Sequence, residues 1–100
     1  MLFRSDVVLH TSGHDLGLRL ALRLAAFEAR IVELTWYGDR AVTAPFGGAF
    51  HVRRLQIVSS QVGHIPEAQR ARWDHRRRLQ FALSQLSEPA LDAEIGRAHV

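Results

Sequence analysis

The chain has 100 residues, a net charge of +3 at neutral pH, 47% apolar residues and no cysteine. That length suits one small domain or part of a larger one, and the apolar fraction excludes a disordered chain. No apolar run approaches the ~20 residues of a membrane span. The lack of cysteine excludes disulfides and thiolate metal sites, and it fits a reducing, cytoplasmic compartment.

In chain order, the segment beginning at Asp6 (Asp6-Val7-Val8-Leu9-His10) reads as an apolar strand ending in the turn Thr11-Ser12-Gly13. A helix is predicted from His14 to Ala26. Its leucines alternate as in a strand, but the Leu/Ala/Arg content and the length favour helix. On a helical wheel, Leu16, Leu18, Leu20, Ala21, Leu22, Leu24 and Ala25 are expected to form one broad apolar arc against a sheet, with Arg19 and Arg23 in the remaining stripe. Ala29 to Leu34 reads as a second strand, giving a βαβ unit and hence a parallel sheet. Two strand ends then face one edge, Thr11-Ser12-Gly13 and Thr35-Trp36-Tyr37-Gly38, where ligands of open α/β sheets sit.

Asp39 to Gly48 is turn-like, with Ala41 to Ala44 a short extended segment ahead of Pro45. Leu55 to Ser60 reads as a third strand, and Gln61 to Pro66 as a loop. Glu67 through Leu86 is predicted to be one helix, stopped by Pro89, with Trp73, Leu79, Phe81, Leu83 and Leu86 as its main apolar residues. The expected fold class is therefore α/β: a three-stranded parallel sheet, a partial doubly wound domain, with flanking helices and right-handed crossovers.

The ordered set Asp-Val-Val-Leu-His-Thr-Ser-Gly, a Leu/Ala helix, Arg-Ile-Val-Glu-Leu-Thr-Trp-Tyr-Gly and Arg-Arg-Leu-Gln-Ile-Val-Ser-Ser-Gln-Val-Gly resembles the medium-chain zinc-type alcohol dehydrogenases. The resemblance covers about Ser5 to Ala93 and matches strands four, five and six of that family's Rossmann domain. It implies a partial NAD(P)-binding domain over residues 1–93. The G-x-G-x-x-G loop and its ribose-binding acid are not in the sequence, and neither are the family's zinc-ligand set and proton relay. The resemblance thus implies a truncated oxidoreductase, inactive by itself, whose parent transfers hydride between an alcohol-like substrate and nicotinamide. Zinc, where retained, belongs to the parent's catalytic domain. Residues 94–100 look like translated sequencing-adapter DNA and are set aside as a non-native tail, and Met1 as an arbitrary start.

Carried over by position, the resemblance places Thr11, Ser12 and Gly13 near the cofactor's ribose. Leu34, Thr35 and Trp36 would approach the nicotinamide ring and its carboxamide, with Ser60 and Gln61 completing that wall. The same positions also read as ordinary strand ends and turns, and Trp36 as a residue packed at the sheet end. The family further implies a homodimer, with Ala41-Val42-Thr43-Ala44 pairing across a two-fold axis.

Other signals carry less. The thirteen basic residues are all arginine; with the abundant alanine this reads as GC-rich coding. The cluster Arg70, Arg72, Arg76, Arg77 and Arg78 reads as a solvated helix face. Its functional alternative is a small stand-alone basic module binding nucleic acid. The six histidines show no metal-ligand spacing. Ser12 lacks the preceding glycine of a nucleophile elbow, and no catalytic triad is expected.

Overall fold

The computed structural model describes residues 4–98, with side chains described through residue 93. The chain divides into two compact units, Met1–Gln61 and Val62–Val100.

The first unit is a three-stranded parallel sheet in the order β1 (Ser5–His10), β2 (Ala25–Glu33), β3 (Gln56–Ser59). The helix α1 (Asp15–Leu24) connects β1 to β2. The fold class expected from the sequence is present. The register is Val8↔Ile31↔Ile57 and His10↔Glu33↔Ser59, so these residues share one face of the sheet. That face carries the core of Ala21, Leu22, Ala25, Ala29, Ile31 and Leu55, with Val8, Ala26, Ala44, Phe50 and Ile57 packed against it. On the other face lie Leu9↔Val32↔Val58, and both Val7 and Leu9 are more than half exposed. β1 therefore alternates between a buried and an open side.

The apolar arc of α1 is narrower than expected. Leu18, Ala21 and Leu22 are buried, and Ala25 at the helix end continues their stripe. This is an i, i+3, i+4, i+7 pattern. Leu16 and Leu20 are exposed, because two residues turn a helix by about 200° and place them opposite Leu18. α1 ends at Leu24, two residues before the expected limit, and β2 begins at Ala25 with no intervening loop. Between the pairs Ser5↔Ala25 and Val7↔Arg30 the register shifts. The extra β2 residues bulge outward with Glu28 at φ +59. The Glu28 N–H donates to the Arg53 carbonyl at 2.7 Å, closing the bulge. Regular pairing runs from Arg30, inside the strand read from Ala29 to Leu34.

The β2–β3 connection is a turn after Tyr37, an extended coil and an irregular helical turn Phe46–Phe50 broken at Gly48. Ala41 to Ala44 forms no strand, and Ala44 packs on the core.

In the second unit the single expected helix from Glu67 to Leu86 is divided. A 3-10 turn spans Glu67–Gln69, and α2 spans His75–Ser84, followed by another 3-10 turn at Gln85–Ser87. The physical reason is Asp74. It is extended, and its carboxylate accepts the Arg77 N–H at 2.7 Å, which starts a new helix there. Pro89 opens the helix α3 (Pro89–Ala98), since proline suits a first helical position. The backbone of the set-aside tail continues this helix to Ala98; its side chains and residues 99–100 lie outside the described residues, as does Met1. Among the described residues no helix is long and apolar enough to cross a membrane.

Candidate functional site

The carboxyl ends of the three strands are tied into one edge. The Leu34 N–H donates to the His10 carbonyl at 3.0 Å, and the Ser60 N–H donates to the Glu33 carbonyl at 2.9 Å. Thr11–Gly13, Leu34–Trp36 and Ser60–Gln61 therefore all leave the sheet along the same side. Gly13 turns the chain with φ +70, a conformation glycine adopts without strain. Its N–H donates to Thr35 Oγ1 at 3.2 Å, and its carbonyl accepts from Arg40 Nη2 at 2.8 Å. Trp36 is 90% exposed, so its indole stands clear of the sheet end instead of packing on it. Thr11, Ser12 and Ser60 are also exposed.

Below this edge lies a polar network centred on His10. His10 is buried, at 4% exposure, on the core-facing side of β1. Its Nδ1 lies 2.8 and 2.9 Å from the two carboxylate oxygens of Glu33, its register partner on β2. A carboxylate only accepts, so Nδ1 carries the proton. In the neutral ring Nε2 is then an acceptor, and it lies 2.6 Å from Ser12 Oγ. Ser12 Oγ in turn accepts the His14 N–H at 3.2 Å. Ser12, His10 and Glu33 thus stand in a line of hydroxyl, imidazole and carboxylate.

Glu33 is held from two further directions. Its carboxylate accepts the Thr35 N–H at 3.0 Å and the Tyr37 hydroxyl at 3.1 Å. Burial pushes its pKa upward, but hydrogen bonds from His10, Thr35 and Tyr37 outweigh this, and the net shift is below the usual carboxylate value. Tyr37 moves the other way, to about 12, through its own burial and then through the hydrogen bond to, and charge of, Glu33. Arg40 reaches back over the Tyr37 ring, 5.8 Å from its centroid.

Gly17, in the first turns of α1, is the steric condition for this network. A Cβ there would stand 2.0 Å from Ser12 Oγ and 2.7 Å from His10 Nε2.

The structure brings the expected Thr11, Ser12, Gly13, Leu34, Thr35, Trp36, Ser60 and Gln61 to a common edge. Sequence reasoning missed His10, Glu33, Tyr37, Arg40 and Gly17. One signal was available. Val8 and His10 share a strand face, as do Ile31 and Glu33, so each apolar stripe ends in a polar residue at the same sheet edge. Ser12 and His10 are two residues apart with Thr11 between them, and only the turn brings them together.

An apolar cleft of about 440 Å³ lies elsewhere, between α1 and the Phe46–Phe50 turn, lined by Leu16, Arg19, Leu20, Arg23, Pro45 and Gly48. It includes none of the strand-end residues. Among the described residues no three histidine, aspartate or glutamate side chains converge as a metal site.

The arginine cluster is partly committed inside the second unit. Arg70 donates to the Ile65 carbonyl at 3.3 Å, and Arg78 to the Val62 and His64 carbonyls at 2.6 and 3.4 Å. Arg77 donates to the Arg72 carbonyl and lies 4.3 Å over the Trp73 ring. Compared with known proteins, the chain matches no family model, no curated protein and no solved structure.

Proposed function

We propose that this chain is the nicotinamide-side half of a cofactor-binding layer in an NAD(P)-dependent, medium-chain alcohol dehydrogenase of cytoplasmic location. The observation that carries the reading is the strand order. A sequential parallel β1-β2-β3 sheet is what the second half of a 3-2-1-4-5-6 doubly wound sheet requires. Its three carboxyl ends are hydrogen-bonded side by side, and ligands of such sheets bind beyond those ends.

The residues at this edge suit the nicotinamide end of a dinucleotide. Leu34 and the open indole of Trp36 supply apolar surface for a ring face, and the backbone amides and carbonyls of 34–36 supply partners for a carboxamide. Thr11 and Ser12 offer hydroxyls to a ribose, and Ser60 and Gln61 border the same edge. The bound cofactor would supply hydride chemistry; these residues bind and orient it. The sequence holds no G-x-G-x-x-G loop for the pyrophosphate, so weak binding and no turnover of alcohols are expected from the chain alone. Ala41 to Ala44 is coil here, and dimerisation through it would require that coil to extend.

Saturation-transfer NMR with NADH and NADPH tests the reading. Nicotinamide protons should receive more saturation than adenine protons, and Trp36→Ala should reduce the transfer. Transfer confined to adenine, or none at all, would remove the proposal.

A further inference from the structure

We propose that Ser12 is an activated nucleophile, with His10 as its general base and Glu33 as the residue positioning His10, and that this site reacts with small activated esters. The inference shares Ser12 with the cofactor reading, but it rests on the contacts of Ser12 with His10 and Glu33 and is tested by a covalent adduct, not by dinucleotide binding.

Four observations support it. The first is the line itself: Ser12 Oγ lies 2.6 Å from His10 Nε2, and His10 Nδ1 lies 2.8 Å from Glu33 Oε1. These are the contacts a serine needs to pass its proton to an oriented imidazole. Second, the parts are held in place. His10 is buried, and Glu33 is fixed by Thr35 N–H and Tyr37 hydroxyl as well as by His10. The carboxylate therefore fixes the tautomer and ring orientation. Third, Ser12 is an exposed residue while His10 is buried. Fourth, Ser12 Oγ rests on the first turn of α1. The His14 N–H points at it, and the Gly17 backbone leaves it room.

The substrate class follows from the setting. Ser12 lies at an exposed edge and outside the apolar cleft along α1, so the fit is to short acyl groups with good leaving groups, such as aryl acetates. Ser12 Oγ attacks the carbonyl carbon and its proton passes to His10 Nε2. The bond from carbon to the aryl oxygen breaks, and the aryl oxide takes the proton from Nε2. Water attacks acyl-Ser12 by the same route, giving the carboxylic acid and restoring the serine.

A fluorophosphonate probe tests this on the intact chain. The Ser12 oxygen would form a bond to phosphorus as fluoride leaves, and the proton would pass through His10 to solvent. Trypsin then releases Ser5–Arg19, in which fragmentation separates Ser5, Thr11 and Ser12. The adduct is expected on Ser12 and nowhere else in that peptide. His10→Gln should slow labelling about a hundredfold or more, while Glu33→Gln should slow it less. Should His10→Gln fail to fold by circular dichroism, the urea-unfolded wild type serves as the comparison. No adduct on folded wild-type Ser12 overturns the proposal. So does labelling at an equal rate in folded His10→Gln or in the unfolded chain.

Discussion

Tyr37 is the chain's one tyrosine, so its ionisation can be read directly in the ultraviolet. Its hydroxyl donates to Glu33, and losing that proton would set two negative charges side by side. With its burial acting in the same direction first, its titration should centre near 12 instead of the ordinary 10. Because the folded value is the higher, this contribution to stability is complete below pH 10 and lost as pH rises through about 12. Glu33→Gln should bring the absorbance midpoint back toward 10; an unchanged midpoint would mean the carboxylate is not the cause. Gly17 gives a second test at this scale. In an exposed helix interior, alanine in place of glycine stabilises by roughly 1 kcal/mol. Here the added methyl would collide with Ser12 Oγ, a short side chain that can yield only by leaving His10. Gly17→Ala is expected to destabilise by about 1–3 kcal/mol, as read by urea unfolding.

Each element shows what period and chemistry can specify before any tertiary contact is known. The strands were legible because runs such as Val7-Val8-Leu9 and Ile31-Val32 are bounded by turn residues. The helix α1 was legible in extent but not in its buried side. Alternating leucines fill a whole wheel, and the sheet selects only Leu18, Ala21, Leu22 and Ala25. The division at Asp74 was legible in principle, since an aspartate before a charged run is a capping signal. Continuous helical composition on both sides concealed it. Asp74→Ala should therefore cost about 1 kcal/mol and let α2 fray, seen as lost amide protection at Arg77 and Arg78. The candidate site was only half legible. Its backbone positions follow from where strands end. The Ser12–His10–Glu33 line depends on register, and no local pattern encodes which residue of one strand lies beside which of the next.

For the molecule as a whole, the sheet is unequal on its two faces. One holds the core, while the other exposes Val7 and Leu9. The positive charge is likewise uneven in its use. Arginines 70, 77 and 78 direct their nitrogens at carbonyls of their own chain, which removes donors from any phosphate backbone. This arrangement gives the lysine-free composition a mechanical meaning beyond codon preference. Arg78 spans two acceptors, Val62 and His64, with separate nitrogens of one planar group. An ammonium offers a single point and cannot bridge them in the same way. Arg78→Lys preserves the charge yet should loosen residues 62–64, detectable as faster amide exchange there at unchanged net charge. These arginines act as struts, and a swap that looks neutral on paper would remove one.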